Sequence, residues 1–287
     1  MRVTPAGACA VAVAVACGAA PAGQQATFSS RLEAVRVDAL VTERGRHVTG
    51  LTAADFEVVD NGVRQSLDLV SFETLPLDVV LVFDLSASVK GERLEQLHAA
   101  AKAVLGGLTA RDQAALLSFN HRVQLQQALT GDMRAVGDAL AVVEPRGETA
   151  LFDGTYAGLL IGARDAARTL VVVFSDGVDT ASWLSPSQVL DAAKRTDAVV
   201  YALSARGSGS APFLRDLADQ TGGSAIEVES LRELSARLLT ILEEFRHRYL
   251  LSYSPQGVTT AGWHRLEVRV KGRRGVAVRA RAGYTGR

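Results

Sequence analysis

The stretch VVLVFDLSASVKG, residues 79–91, carries five consecutive apolar positions straight into Asp84-Leu85-Ser86-Ala87-Ser88. A short, unbroken apolar run of this kind reads as a strand buried on both faces, the kind found in a parallel sheet covered by helices. Just past its carboxyl end stand a carboxylate and two hydroxyls at alternate positions. Ser88 can be the N-cap of a following helix with Asp84 a turn residue, as Ser and Asp often are. Alternatively the three oxygens hold a cation, because ligands of open α/β sheets bind outside the carboxyl ends of the strands. The motif alone leaves both readings open.

Working outward, the chain after Pro76 alternates apolar strands with amphipathic helices, the signature of an α/β layer. Strands are expected at Asp78–Phe83, Ala114–Phe119, Val123–Leu129, Leu170–Phe174, Val199–Leu203 and Ala225–Val228. Leu94, Leu97, Ala101, Val104, Leu105 and Leu108 recur at helical spacing after the first. Further helices are expected at Met133–Val143, Phe152–Ala166, Ser187–Arg195, Phe213–Thr221 and Leu231–Arg248. The tight turn at Asn120-His121 makes one edge strand antiparallel. The sum is a doubly wound, mostly parallel sheet of about six strands with about as many helices.

On either side the texture is β. Arg31 to Phe72 has period two, broken by turns at Arg44-Gly45-Arg46 and Asp60-Asn61-Gly62; Asn-Gly there is a strong hairpin signal. Three or four strands are expected, too few to fold alone. Tyr249–Tyr253, the alternation of Leu266, Val268 and Val270, and Val276 to Arg281 give a second β segment. Unpaired edges would be exposed unless the two segments meet. Residues 28–74 and 246–287 are therefore expected to pair into one small β-sandwich around an α/β domain at 76–245.

The 287 residues are enough for one good-sized core and a smaller domain. Apolar content of 48% with 22% charged residues excludes a disordered chain. Basic and acidic residues number 31 each, so the global charge favours neither nucleic acid nor an anionic membrane. Arg2, the small apolar run Ala8–Ala16 and Ala20-Pro21-Ala22 read as a secretory signal over residues 1–22 with an A-x-A cleavage site. That run is about half of a membrane span. The mature chain is expected to be exported, periplasmic or secreted, without a transmembrane segment. The alternative is a lipoprotein anchored through Cys17. Both cysteines, Cys9 and Cys17, lie in this leader, which removes thiol chemistry from the mature chain.

Two other loops bear on the first. Gly147-Glu148-Thr149-Ala150 precedes a helix, and Ser175-Asp176-Gly177 ends the most apolar strand. Thr149 can be a cap and Asp176 a turn residue; together with Asp84, Ser86 and Ser88 they bring two carboxylates and three hydroxyls to one rim of the sheet. Two carboxylates out of water raise one another's pKa unless a cation lies between them. Hard oxygens without His or Cys select Mg²⁺ or Ca²⁺ over zinc or copper. Such a donor set leaves a position for water, or for the carboxylate of a partner.

Asp84-x-Ser86-x-Ser88, the distant Thr149 and the more distant Asp176 resemble the metal-ion-dependent adhesion site of a von Willebrand factor type A domain, position by position. The resemblance spans about residues 76 to 245. It implies a Rossmann-like sheet ringed by helices, Mg²⁺ or Mn²⁺ held by these five side chains partly through water, and a protein ligand whose exposed Asp or Glu completes the metal shell. A narrower likeness rests on Val48-Thr49-Gly50-Leu51 with Asp55-Phe56, Thr149–Asp153, Ser175-Asp176-Gly177, Tyr249–Tyr253 and Arg281-Ala282-Gly283-Tyr284. These are similar to the acidobacterial-type branch of exported von Willebrand A-related proteins.

Rival readings are a Mg²⁺-dependent hydrolase and a metal-free scaffold whose loop oxygens cap helices. A hydrolase needs a general base, yet His47, His98, His121, His247 and His264 lie on separate elements and read as surface or interface residues. No nucleophile elbow, His-Glu-x-x-His or phosphate loop occurs. Asp179 is expected to be a solvated turn residue or an outer-shell acid. Arg279 and Arg281 read as the exposed face of a strand.

Overall fold

The computed structural model describes residues 34–72, 75–163, 167–176, 178–207, 209 and 211–286. The expected leader at 1–22, with both cysteines, lies outside them.

The chain enters through β1 (Val35–Glu43) and β2 (Arg46–His47), then β3 (Phe56–Asp60), β4 (Val63–Gln65) and β5 (Leu69–Phe72). Five strands form where three or four were expected. The extra ones are the short returns of two hairpins, whose turns place Arg44, Gly45, Asn61 and Gly62 at positive φ. That is the backbone a two-residue hairpin turn requires.

The α/β layer follows as β6 (Leu77–Asp84), α1 (Glu92–Gly106), β7 (Gln113–Phe119), β8 (Val123–Thr130), α2 (Met133–Ala141), α3 (Leu151–Gly162), β9 (Arg168–Ser175), α4 (Pro186–Ala193), β10 (Val199–Ala205), α5 (Ala211–Thr221), β11 (Ser224–Val228) and α6 (Leu234–Arg246). The six-stranded sheet has the order β11-β10-β9-β6-β7-β8. Only β8 is antiparallel, paired with β7 at the edge. Every residue of β6 and of β9 is buried. Alternation sorts their side chains: Val79, Leu81, Phe83, Val172 and Phe174 meet α1, α2 and α6, while Val80, Val82, Val171 and Val173 meet α3, α4 and α5. From β6 the chain winds outward through β7 and β8, then returns to β9 and winds the other way. The adjacent carboxyl ends of β6 and β9 thus flank the switch point of the sheet, where such folds open a crevice.

The helix expected over Leu231–Arg248 is shorter. A 3₁₀ turn at Leu231–Glu233 leads into α6, and Arg248 already opens β12 (Arg248–Tyr253). Arg248 is fully buried, donating to Gly222 O at 2.6 Å and to Tyr201 Oη at 3.0 Å. Those partners come from β10 and the end of α5, so no local periodicity could announce them.

β13 (Gly262–Val270), β14 (Val276–Arg279) and β15 (Gly283–Gly286) complete the chain. β12 and β14 pair antiparallel with the two edges of β1, and β13 pairs with β3. The sheets β14-β1-β12-β5 and β15-β13-β3-β4 enclose a core of Val37, Val41, Phe56, Val58, Tyr249, Leu251 and Tyr253. Within it Asp60 is fully buried and accepts from Tyr253 Oη at 2.8 Å and Tyr284 Oη at 2.9 Å, with His264 Nδ1 at 2.8 Å. His264 is thus a core residue rather than a surface one. Arg281 likewise departs from expectation: it is buried, donating to Gly283 O at 2.8 Å and Asp197 Oδ1 at 2.7 Å.

At the amino-terminal end of β9, Arg168 Nε donates to Asp38 Oδ1 at 2.7 Å and its Nη2 to Phe245 O at 3.0 Å, all buried. This joins β1, β9 and the last turn of α6 at the end of the sheet remote from the switch-point crevice.

Candidate functional site

Asp84 is the last residue of β6 and fully buried. Its Oδ1 accepts from the Ser86 N–H at 2.9 Å and its Oδ2 from Ser175 Oγ at 2.7 Å. Ser86 Oγ lies 3.0 Å from Ser88 Oγ, and Ser88 Oγ donates to Oδ1 of Asp176 at 2.7 Å. A continuous chain of hydrogen bonds thus runs from the end of β9 through β6 and its loop back to the residue after β9. Burial raises the Asp84 carboxyl from its ordinary range to about 6; the Ser175 hydroxyl and Ser86 N–H oppose the rise, and the nearby Asp176 charge adds to it.

The cap reading of Ser88 does not hold. The N-cap of α1 is Gly91, at φ 61, which no hydroxyl caps. The same applies to Thr149, because the N-cap of α3 is Ala150 without a side-chain cap bond. The free N–H groups of α3 are met from elsewhere: Ser182 Oγ accepts from Phe152 N at 3.0 Å and Asp153 N at 3.2 Å. Asp179 Oδ1 in turn accepts from Ser182 Oγ at 2.5 Å. Asp179, partly exposed, is therefore a support for the α3 terminus.

Thr149 is buried and held by its backbone between the other two loops. Its carbonyl accepts from Thr180 N at 2.8 Å and Ala181 N at 3.1 Å, and its N–H donates to Thr180 Oγ1 at 3.1 Å. Two residues earlier, Gly147 O accepts from Ala87 N at 3.1 Å. Gly147 has positive φ, which disfavours any residue with a Cβ, and a Cβ there would lie 2.3 Å from His121 Nδ1, so another residue would be strained and would displace the His121 ring. Among the described residues the Thr149 hydroxyl makes no hydrogen bond, whereas Asp84, Ser86, Ser88 and Asp176 are joined directly.

α3 sits low on the sheet because Gly154, Gly158 and Gly162 recur every fourth residue on its inner face. A Cβ at each would lie 2.6 Å from Phe119, 2.5 Å from Val82 Cγ2 and 2.7 Å from Thr169 Cγ2. This close approach fixes the height at which the Thr149 loop meets the strand ends.

Sequence reasoning overlooked Ser175, Ser182 and Arg93. Ser175 could have been suspected as the hydroxyl adjoining Asp176. Arg93 Nη1 lies 2.7 Å from Asp176 Oδ2, a pairing across eighty-three positions that no local pattern encodes. His121 lies against Gly147, but the side chains of Asp84 and Asp176 bond to Ser175, Ser88 and Arg93 and not to a histidine.

The family model of the von Willebrand factor type A domain matches residues 78–239. The inter-alpha-trypsin inhibitor heavy chain H2 of Sus scrofa is 25% identical over 184 residues, 58% of this chain and 20% of that one. The chain thus spans about a fifth of the length of this curated relative. Among solved structures, proximal thread matrix protein 1 from the mussel byssus, with a zinc-occupied MIDAS motif, aligns with TM-score 0.55 at 18% identity over 63% of this chain and 48% of that one. A von Willebrand factor type A protein from Catenulispora acidiphila aligns with TM-score 0.52 at 10% identity over 88% of this chain and 73% of that one. These structural likenesses concern the fold. Among the described residues no helix is long and apolar enough to cross a membrane.

Proposed function

The chain belongs to the von Willebrand factor type A domain family, and from that premise we propose that it is an exported, cation-dependent protein-binding module. Asp84, Ser86, Ser88, Thr149 and Asp176 would hold one divalent cation, Mg²⁺ in the first place and Mn²⁺ or Ca²⁺ otherwise. The ion would supply a Lewis-acidic position for an exposed Asp or Glu of a protein partner. Residues 1–22 would be the export signal, with 28–74 and 246–287 framing the 76–245 domain.

The observation that carries the reading is the coupling of two carboxylates from neighbouring strand ends through hydroxyls that cap no helix. The residues fit a hard cation. Two acids and three hydroxyls are an oxygen donor set of the kind Mg²⁺ takes. Burial, with Asp176 nearby, holds the Asp84 carboxyl up at about 6, an environment that a cation would relieve. Asp176 meanwhile draws a cationic group, Arg93, onto one of its oxygens. Ser86 and Ser175 orient Asp84, and Ser88 orients Asp176.

For hydrolysis, the second reading, the side-chain partners of the two acids are hydroxyls and a guanidinium, and neither acid bonds to a histidine.

Calorimetric titration of Mg²⁺ and Mn²⁺ into the mature protein tests the cation, with Asp84→Ala and Asp176→Ala as controls. Saturable heat in the parent, lost in both variants, is expected; equal heats in all three would remove the ion. A Mg²⁺-against-EDTA pull-down from the envelope, with Asp176→Ala as control, then tests the partner.

A further inference from the structure

Arg93 is the second residue of α1, and its guanidinium turns back over the carboxyl end of β9. Nη1 donates to Oδ2 of Asp176 at 2.7 Å and lies 3.4 Å from Ser88 O. The Asp176 side chain is 1% exposed and that of Arg93 55%, so the guanidinium stands between the carboxylate and solvent. Oδ1 of Asp176 is engaged by the Ser88 hydroxyl. Both oxygens of this acid thus have partners, and one of them is a full positive charge.

We propose that Arg93 is a built-in competitor of the divalent cation, holding Asp176 by charge and so setting the cation concentration at which the site fills. The proposal rests on the reading of these residues as a cation site. A divalent ion drawing on Asp176 would stand beside the guanidinium, and like charges sharing one carboxylate repel. Filling the site therefore requires the Arg93 side chain to give way. Space for it exists: a cleft of about 340 Å³ adjoins Asp176, lined by Glu92, Gln96, Glu229, Ser230 and Arg232 among others. Its acids offer the displaced guanidinium new acceptors, although Glu92 already pairs with Arg232 and Glu229 with Arg206.

The test is calorimetric titration of Mg²⁺ into the parent, Arg93→Gln, Arg93→Lys and Arg232→Gln. Arg232 carries the same charge in the same cleft but bonds Glu92 rather than Asp176. Partly exposed pairs of this kind contribute modestly, so Arg93→Gln is expected to bind Mg²⁺ about three- to tenfold tighter. Arg93→Lys should fall between it and the parent, and Arg232→Gln should stay within about twofold of the parent. Independently of bound ion, a double-mutant cycle of Arg93→Gln with Asp176→Asn in EDTA should show coupled melting temperatures, and saturating Mg²⁺ should raise the melting temperature of Arg93→Gln more than that of the parent. Unchanged or weaker binding in Arg93→Gln, or an equal gain in Arg232→Gln, overturns the proposal and leaves the cation site standing. Heat in Arg93→Gln but none in the parent supports it. Absence of saturable heat from every protein removes the cation site and this proposal with it.

Discussion

Ser175 Oγ donates a buried hydrogen bond of 2.7 Å to Oδ2 of Asp84, tying the end of β9 to the end of β6. Burial nevertheless lifts the Asp84 carboxyl to about 6, so one hydroxyl and one N–H do not replace the water it has lost. The folded pKa lies above the unfolded one of about 3.9. Its contribution to stability is therefore full below about pH 4 and is lost as pH rises through about 6. Asp84→Asn removes the charge but keeps the shape. In EDTA at pH 7.5 it should be more stable than the parent, by up to about 2–3 kcal/mol. The gain should vanish by about pH 4. Thermal denaturation across that range checks it, and a variant less stable at pH 7.5 would show that the ionised carboxylate is adequately compensated.

The same carboxyl sets how the proposed cation site answers to acid. A proton and a divalent ion compete for Asp84, so Mg²⁺ affinity should be level above about pH 7 and decline by about tenfold per unit below about pH 6. Titrations at pH 5, 6, 7 and 8 measure the slope. A flat profile would mean that Asp84 takes no part in holding the ion.

Gly158 has Val82 Cγ2 where its own Cβ would be, at 2.5 Å. Both groups are enclosed between α3 and the sheet, so Gly158→Ala should push the helix outward at a cost of roughly 1–3 kcal/mol. Since α3 carries the Thr149 loop at its amino end, cation affinity should fall with it. Denaturant melts and calorimetry on one preparation separate the effects; a fully stable variant would mean that the helix can ride higher without strain.

Asp38 and Arg168 make a buried pair at the opposite end of β9. Asp38→Ala strands the guanidinium with Phe245 O as its remaining acceptor. Breaking a buried pair from one side costs about 3–5 kcal/mol, and a large drop in melting temperature is expected. The proposed cation site lies at the other end of the strand, so the affinity of the folded fraction should not change. A loss of affinity in step with stability would reveal coupling along β9.

Much of this protein was legible in its amino-acid order. The apolar runs of β6 and β9 announce strands covered on both faces, because only such strands need no polar alternation. The Asn120-His121 turn marks the antiparallel edge, and Asn61-Gly62 marks a hairpin, because both depend on neighbours in sequence. Asp84, Ser86, Ser88, Thr149 and Asp176 could be put forward together because each stands at a strand end or in a loop leading into a helix, on the rim where such sheets bind ligands.

Tertiary structure decided the remainder. Ser88 and Thr149 could equally have been helix caps until the helices were seen to start at Glu92 and Leu151, with Ser182 supplying N-terminal bonds of α3 from a distant loop. Arg93 on Asp176, Arg248 under Gly222 and Tyr201, and Asp60 between Tyr253, His264 and Tyr284 are pairings of residues far apart in the chain. A local pattern records which face of an element is apolar, since that is fixed by its own period. Which charge meets which depends on how whole elements pack, and one sequence position carries no trace of a partner a hundred residues away.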